Sequence, residues 1–364
     1  TQSVMERTVG GALDALLRQL RCKVDSDKPL IGSWAGRSYL NANALLAVTR
    51  NVPLLSPEDV LSAVGGVGPE RRRALAGRAA SRGRSMWRSP LVAATALREQ
   101  VGLEREVASL ERAIEHDARA IEDMDLAVLP SDAMGVTLAS AQALLERTSE
   151  LWVECAASQL AHALGLRGIL RRRVPEVDPR IGYALMTGSG RSFGATMTAE
   201  LARVVEVFRR DGAAAARLDD PAVRCAADLP DGAGRGALGQ FLGRYGDVSI
   251  GAVELAAPRW REDARDVMRM VSLILRHPTA VEVEAMQQGA RAAADAQLAH
   301  HEAELNLLER HLLRALLDRG RRLVQGRATV DRLLFRAMAL VRRVVLDIGR
   351  RLDRVDHGLG EADG

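Results

Sequence analysis

Apolar residues recur at helical spacing in two long segments, 90–124 and 136–170, and charged residues fill the positions between them. Pro130 and Gly135 mark a turn between the segments. Two long helices with a short connection pack antiparallel, so the pattern predicts a helical hairpin. The residues that carry it are Leu103, Val107, Leu110, Ile114 and Ile121 in the first segment, and Leu138, Ala141, Leu145, Thr148, Trp152 and Cys155 in the second.

Further helices are predicted on both sides of this hairpin. The same periodicity predicts helices over 3–20, 194–210, 261–276, 280–324 and 329–354, with Gly326 as a break between the last two. A short helix or extended segment is expected over 41–48. Residues 174–192 and 211–234 are rich in Gly, Pro and Asp and are predicted to be irregular.

The composition favours helices throughout the chain. Hydrophobic residues make up 47% of its 364 residues and aromatic residues only 3%, while Ala, Leu, Arg and Glu dominate. We therefore predict an all-α fold in which long antiparallel helical hairpins pack around a central, mostly apolar cavity. We expect residues 1–364 to form one helical domain, with 1–192 and 193–364 as candidate subdomains.

The charge pattern argues against nucleic acid as a partner. The formal charge is +4, but 51 cations face 47 anions and the two signs alternate along the helices. Cys22, Cys155 and Cys225 are too widely spaced for a zinc or disulfide motif. No apolar run reaches the ~18 residues of a membrane span and no secretory leader is visible, so we expect a cytoplasmic protein with no membrane partner.

Several polar clusters resemble ligand sites at first sight. His301, Glu304 and His311 share one helix face with His300 beside them, but a metal site would need a further ligand from elsewhere. We interpret them as exposed polar residues and expect no metal site. His162 lies on the apolar side of the second hairpin helix, so we expect a hydrogen-bonded core histidine.

One segment carries a distinctive motif. Phe241–Gly246 followed by Leu255–Asp263 resembles the pattern F-L-x-x-Y-G-H-R-G-x-G-E-x-D-L-x-x-P-R-W-x-E-D of phosphoenolpyruvate-synthase-like enzymes. By layout, the chain is most similar to the middle helical, substrate-binding domain of the rifampicin phosphotransferases. Further matches lie in the family's order at Thr1–Ser3, Gly36–Asn41, Val341–Arg343 and Ile348–Leu352.

This resemblance implies a role in phosphoryl transfer. In that family an ATP-grasp domain moves phosphate from ATP to a histidine on a swivelling domain, and the histidine phosphorylates a substrate hydroxyl held against the middle domain. The swivelling domain's T-S-H-x-A signature does not occur in this sequence, and no ATP-grasp domain is recognised. We expect a small-molecule ligand and no cofactor within this chain. ATP and Mg, with ATP-grasp and His-domain subunits or domains as partners, are implied only if those domains are supplied.

Three charged positions of the family pattern become Val or Ala. His-Arg becomes Asp247-Val248, Gly-Glu becomes Gly251-Ala252, and Arg-Glu becomes Arg327-Ala328. Charges at a phosphoryl-transfer site stabilise the charge that develops on the transferring oxygens, so these changes disfavour ordinary family catalysis. Two alternatives stay open: a free-standing lyase, cyclase or dehydratase of specialised metabolism that reuses the fold, and a non-catalytic ligand-binding protein.

The motif segments supply the candidate site, although the sequence identifies no catalytic residue. For the Arg-Trp pair within it, a structural role is an alternative, in which the indole packs against a helix and the guanidinium caps carbonyls. The predicted substrate-binding residues are Arg37, Tyr39, Asn41, Tyr245, Asp247, Glu254, Arg259 and Trp260.

Overall fold

The computed structural model describes residues 31–34, 37–41, 46, 70, 89–171, 173–174, 177–178, 181–187, 192–250, 254–276 and 283–360. Most of these residues are helical, which confirms the predicted all-α class. The helices are α1 (Ser89–Asp123), α2 (Ser131–Arg171), α3 (Ile181–Thr187), α4 (Phe193–Arg210), α5 (Gly212–Ala215), α6 (Ala233–Tyr245), α7 (Arg265–Arg276), α8 (Val283–Ala303) and α9 (Leu307–Gly360).

A small β-hairpin precedes the described helices. Strand β1 (Ile31–Trp34) pairs antiparallel with β2 (Arg37–Leu40), with Ile31 opposite Leu40 and Trp34 opposite Arg37. The predicted helix over 3–20 lies outside the described residues, and of the predicted segment 41–48 the structure describes only Asn41 and Leu46, which is helical and buried. Antiparallel packing of long hairpins and a central cavity stay predictions.

The first two long helices occur where the periodicity places them, although the connection between them is shorter than predicted. The amide of Met134 donates to the carbonyl of Pro130, so α2 starts directly after that proline. Gly135 lies inside α2, where no atom approaches the position of a Cβ. The turn is instead made by residues 124–130, where the Asp125 carboxylate accepts from the amide of Ala127.

The last long helix begins and ends at residues that differ from the prediction. Gly326 does not break it, because α9 runs without interruption from Leu307 to Gly360. The break comes at 304–306, where Asn306 and Glu309 cap each other. The Glu309 amide donates to Asn306 Oδ1 (2.9 Å), and the Asn306 amide donates to Glu309 Oε2 (3.2 Å). This reciprocal pair satisfies two amides that the first turn of a helix leaves free.

Residue contacts divide the chain into two compact units, each built from three separate stretches. The first unit comprises 1–107, 149–192 and 287–328; the second comprises 108–148, 193–286 and 329–364. The predicted subdomains 1–192 and 193–364 stay a prediction.

The core of the first unit is packed around the short helix α3. Two glycines allow this packing. A Cβ on Gly182 would lie 1.9 Å from the carbonyl oxygen of Ala163 in α2, and one on Gly320 of α9 would lie 2.8 Å from the Met186 side chain. The buried residues of this core include Leu166, Leu170, Ile181, Leu185, Met186, Leu313 and Leu317.

The core of the second unit joins α4, α6 and α7. The buried face of α4 follows the 3.6-residue period, with Leu201, Val204, Val205 and Phe208 pointing inward. The other members include Leu238, Phe241, Tyr245, Trp260, Val267 and Val271. Three residues of the motif segment, Phe241, Tyr245 and Trp260, therefore belong to this core.

Many surface charges form ion pairs, and arginine is the cation in those seen among the described residues. None of the described helices combines the length and the apolar character needed to span a membrane.

Candidate functional site

The motif segment connects α6 to α7 as a loop, of which the structure describes two limbs, 246–250 and 254–261. The Trp260 amide donates to the Val248 carbonyl, and the Arg261 amide donates to the Gly246 carbonyl, both at 2.9 Å. A Cβ on Gly246 would lie 2.3 Å from the Leu242 carbonyl oxygen and 2.9 Å from Arg261 Cβ. Glycine is therefore required where α6 ends and the two limbs of the loop meet.

Arg259 lies inside this loop, with its side chain fully buried. Its Nη1 donates to the Ser249 hydroxyl (2.9 Å), and its Nη2 donates to the Glu254 carbonyl (3.3 Å). Burial lowers the pKa of this guanidinium, and the neighbouring positive charge of Arg342 lowers it further. These contacts hold the two limbs together, which is the structural role that the sequence left open for this residue.

The aromatic residues of the motif stack in the core of the second unit. Trp260 stacks on Phe241 with ring centroids 6.2 Å apart and 26° between the ring planes, and the ring centroids of Phe241 and Tyr245 are 4.9 Å apart. Burial, and after it the negative charge of Glu200, raise the pKa of Tyr245. Both Tyr245 and Trp260 are buried, so their rings contribute to packing at the base of the loop.

Four alternating charges form what we call the charge ring: Glu122, Asp247, Arg261 and Arg336. Arg261 lies 3.0 Å from Asp247 Oδ1 and 3.4 Å from Glu122 Oε1. Arg336 closes the ring, 3.3 Å from Asp247 Oδ2 and 2.8 Å from Glu122 Oε2. Each carboxylate thus contacts both guanidiniums, and the net charge of the ring is zero.

Asp247 is the most buried member of the ring. Burial raises the pKa of this carboxyl, although the charges of Arg261 and Arg336 lower it. The loss of hydration therefore outweighs the attraction of two guanidiniums. The side chains of Arg261, Glu122 and Arg336 are 39%, 32% and 25% exposed, so the ring can be reached from solvent.

The remaining predicted site residues fall into two groups. Glu254 is exposed on the loop, and its carboxylate accepts only a long bond (3.4 Å) from the Ala256 amide among the contacts described. Arg37 and Tyr39 lie on β2, where the structure describes no side chains, and Asn41 follows that strand half-buried. These three belong to the first unit and the other five to the second.

The structure describes the surroundings of two of the three positions at which a charged residue of the family pattern is replaced by Val or Ala. Val248 is buried in the core of the second unit. Arg327 lies over the Trp152 ring, 4.6 Å from its centroid, and Ala328 is half-buried. Ala252 lies outside the described residues.

The histidine clusters lack the arrangement of a metal site. No group of three or more His, Cys, Asp and Glu side chains in the described part of the chain is placed to hold a metal ion. His162 is buried, with its Nδ1 2.8 Å from the Ser158 carbonyl, as expected for a core histidine. His300, Glu304 and His311 are exposed as predicted, whereas His301 is half-buried and so departs from the prediction.

Residues 152–327 match the family model of the rifampicin phosphotransferase fourth domain. The predicted resemblance is therefore confirmed for this segment, which contains the whole motif loop. A search of curated proteins found no match. Two members of the charge ring, Glu122 and Arg336, lie outside the rifampicin phosphotransferase-like segment.

Sequence reasoning did not assign Glu122, Arg261 or Arg336 to the substrate site. Arg261 stands inside the quoted motif, next to Trp260, so its position was a usable signal. Glu122 and Arg336 come from α1 and α9, more than 200 residues apart, and helical periodicity alone gives no indication that they meet at Asp247.

Proposed function

We propose that this chain is the substrate-binding helical domain of a rifampicin-phosphotransferase-like protein and that it holds a hydroxylated small molecule for ATP-dependent phosphoryl transfer. The observation that carries the proposal is the match of residues 152–327 to the rifampicin phosphotransferase fourth domain. ATP-grasp and histidine-bearing domains outside this sequence would supply the phosphoryl group, together with ATP and Mg.

The charge ring is the polar anchor that we assign to the substrate. A hydroxyl group both donates and accepts hydrogen bonds, and the ring offers carboxylate acceptors beside guanidinium donors. Glu254 is an exposed carboxylate on the loop that carries Asp247. Arg259, Tyr245 and Trp260 would act by holding this loop in shape, since their side chains are buried.

The first experiment measures binding with rifampicin as the probe, by equilibrium dialysis against the 364-residue chain. Arg336→Gln removes a donor from the ring, and we expect it to weaken binding by roughly tenfold, the value of one hydrogen bond to a charged group. Arg332→Gln is the matched control. It lies one turn earlier on α9 and pairs with Glu111, away from the ring.

Asp247→Asn is a second test variant. Because burial raises the pKa of Asp247 despite two arginines, its ionised form does not stabilise the fold, and we expect the Asn variant to fold. We expect rifampicin affinity to fall in Asp247→Asn and to stay unchanged in Asp132→Asn, an exposed control in the first turn of α2. Unchanged affinity in both ring variants would exclude the ring as the anchor.

The second experiment tests phosphoryl transfer in the protein as its source cells make it. With ATP, Mg and rifampicin, the proposal expects AMP, inorganic phosphate and a phosphorylated product. Rifampicin binding without any AMP would instead favour the non-catalytic ligand-binding alternative, and conversion without ATP would favour the free-standing enzyme. The burial of Val248, where the family pattern has a charged arginine, is the observation that keeps these alternatives open.

A further inference from the structure

Five arginines of α9 lie on one helix face within the second unit. Arg332, Arg336, Arg343, Arg350 and Arg354 follow one another at spacings of 4, 7, 7 and 4 residues. At 3.6 residues per turn, these spacings keep all five within about 40° around the helix axis. The face therefore forms a continuous row of guanidiniums along α9.

The first part of this row is neutralised by carboxylates from other elements. Arg332 pairs with Glu111 of α1, and Arg336 pairs with Glu122 and Asp247. At Arg343 the pattern changes, because α1 ends at Asp123. Arg343 Nη2 caps that helix end by donating to the carbonyls of Glu122 (3.0 Å) and Met124 (3.4 Å).

Beyond the end of α1, the arginine row faces a cavity of about 490 Å³. Residues 123–127 form one wall, and Arg343, Asp347, Arg350 and Arg354 of α9 form the other. This volume lies within the range of small-molecule sites, roughly 300–1,000 Å³. The arginine row on α9 therefore extends beyond the end of α1, the helix whose Glu111 and Glu122 pair with its first two members.

The acids of this cavity are largely occupied by internal partners. Asp125 accepts from the Ala127 amide, and Asp347 is shared between Arg350 (3.2 Å) and Arg351 (3.3 Å). No described carboxylate lies within ion-pair distance of Arg354. Asp123 is exposed at the rim. Most guanidinium N–H donors of Arg343, Arg350 and Arg354 are therefore still available to a ligand.

We propose that this cavity binds the phosphate group of a small phosphorylated molecule. Three guanidiniums on one wall present planar pairs of donors, the geometry that matches phosphate oxygens. Arg350 and Arg354 contact the phosphate through their free donors, and Arg343 contacts it beside the end of α1. The site shares no side chain with the charge ring, so it can exist whether or not the proposed substrate role is correct.

The test is calorimetric titration of the full chain with inorganic phosphate and with glycerol phosphate at low salt. We expect saturable binding that weakens as salt rises. The double variant Arg350→Gln/Arg354→Gln should lower the affinity at least about tenfold. The matched double control Arg147→Gln/Arg269→Gln removes the same charge from exposed positions that do not line the cavity, and it should change affinity less than about twofold.

A third variant gives an effect of the opposite sign. Asp123→Asn removes the negative charge at the rim, so phosphate affinity should rise by about threefold. The proposal is overturned if phosphate fails to bind up to about 50 mM, or if the test and control double variants lose affinity equally. A weakened affinity in Asp123→Asn would also overturn it, because that result indicates a site for cations.

Discussion

Substitution of Gly182 by alanine should disrupt the packing of the first unit. The new Cβ would lie 1.9 Å from the carbonyl oxygen of Ala163, and 2.7 and 2.9 Å from that residue's C and Cα atoms. All three are backbone atoms of a long helix, so no side-chain rotation relieves the clash. Helix α3 would have to move by roughly 1 Å or more, away from a close-packed core.

The size of that displacement determines how much the free energy of unfolding falls in Gly182→Ala. Overpacking a core costs about 1–3 kcal/mol, and we expect the upper end here because Ile181, Leu185 and Met186 would move together. Gly320→Ala should cost less, about 1–2 kcal/mol, because its Cβ would meet the flexible Met186 side chain. Gly326→Ala should stabilise by about 0.5–1 kcal/mol, since it lies inside α9 with open space around it.

The assay is urea unfolding followed by helical ellipticity, with hydrogen exchange on peptides covering 163–186 to locate the effect. We expect the free energy of unfolding to be highest for Gly326→Ala and to decrease in the order wild type, Gly320→Ala and Gly182→Ala. Faster exchange should appear in α3 only for the last two variants. If Gly182→Ala is as stable as Gly326→Ala, the close approach of α3 to α2 is not present in solution.

Three further predictions follow from the contacts described. Arg259→Met should lower the free energy of unfolding by about 2–4 kcal/mol because it leaves the Ser249 hydroxyl and the Glu254 carbonyl without this donor. Arg265→Met, an exposed control that pairs with Asp263, should change the free energy of unfolding by less than about 1 kcal/mol in the same urea titration. Equal losses in the two variants would contradict the structural role of Arg259. Burial lowers the pKa of His162, so the folded state resists protonation of this side chain, and the free energy of unfolding should decline as pH falls below about 6.5. His162→Gln should reduce that decline between pH 7.5 and 5.5. If the pH dependence of the free energy of unfolding is the same in the variant, His162 does not cause the decline. Asn306→Ala should cost about 1 kcal/mol and speed amide exchange in the first turn of α9, and unchanged exchange there would mean that the cap is not formed.

Local patterns in the sequence predicted the long helices but not where all of them end. They also missed α3 and α5, which lie inside 174–192 and 211–234, the two segments predicted to be irregular. The apolar periodicity placed α1, α2 and α4 to within a few residues, except at the start of α2. The error at α9 arose because Gly326 was weighed by its cost in a helix, about 1 kcal/mol, which the surrounding residues of a 54-residue helix easily offset. The true start depends on the Asn306–Glu309 pair, a signal that was present in the sequence but was not used.

The candidate site was predicted less completely than the fold. Tyr245, Asp247, Arg259 and Trp260 were singled out because the motif is contiguous, and the structure places all four in or beside one loop. The charge ring depends on side chains of α1 and α9, and pairing between residues so far apart in the sequence is set by tertiary packing. A single sequence carries no record of that packing, because helix periodicity determines only which face a residue occupies.

The use of arginine for every described ion pair has a practical consequence. The chain contains only two lysines, Lys23 and Lys28, and both lie outside the described residues. Amine-directed cross-linkers and acylating reagents will therefore leave the helices described above unmodified, so distance mapping needs carboxylate- or arginine-directed chemistry. Guanidiniums also keep their charge above pH 10, where lysine loses it. The ion-pair network should consequently persist in alkaline solution, and loss of structure at high pH would have to begin elsewhere in the molecule.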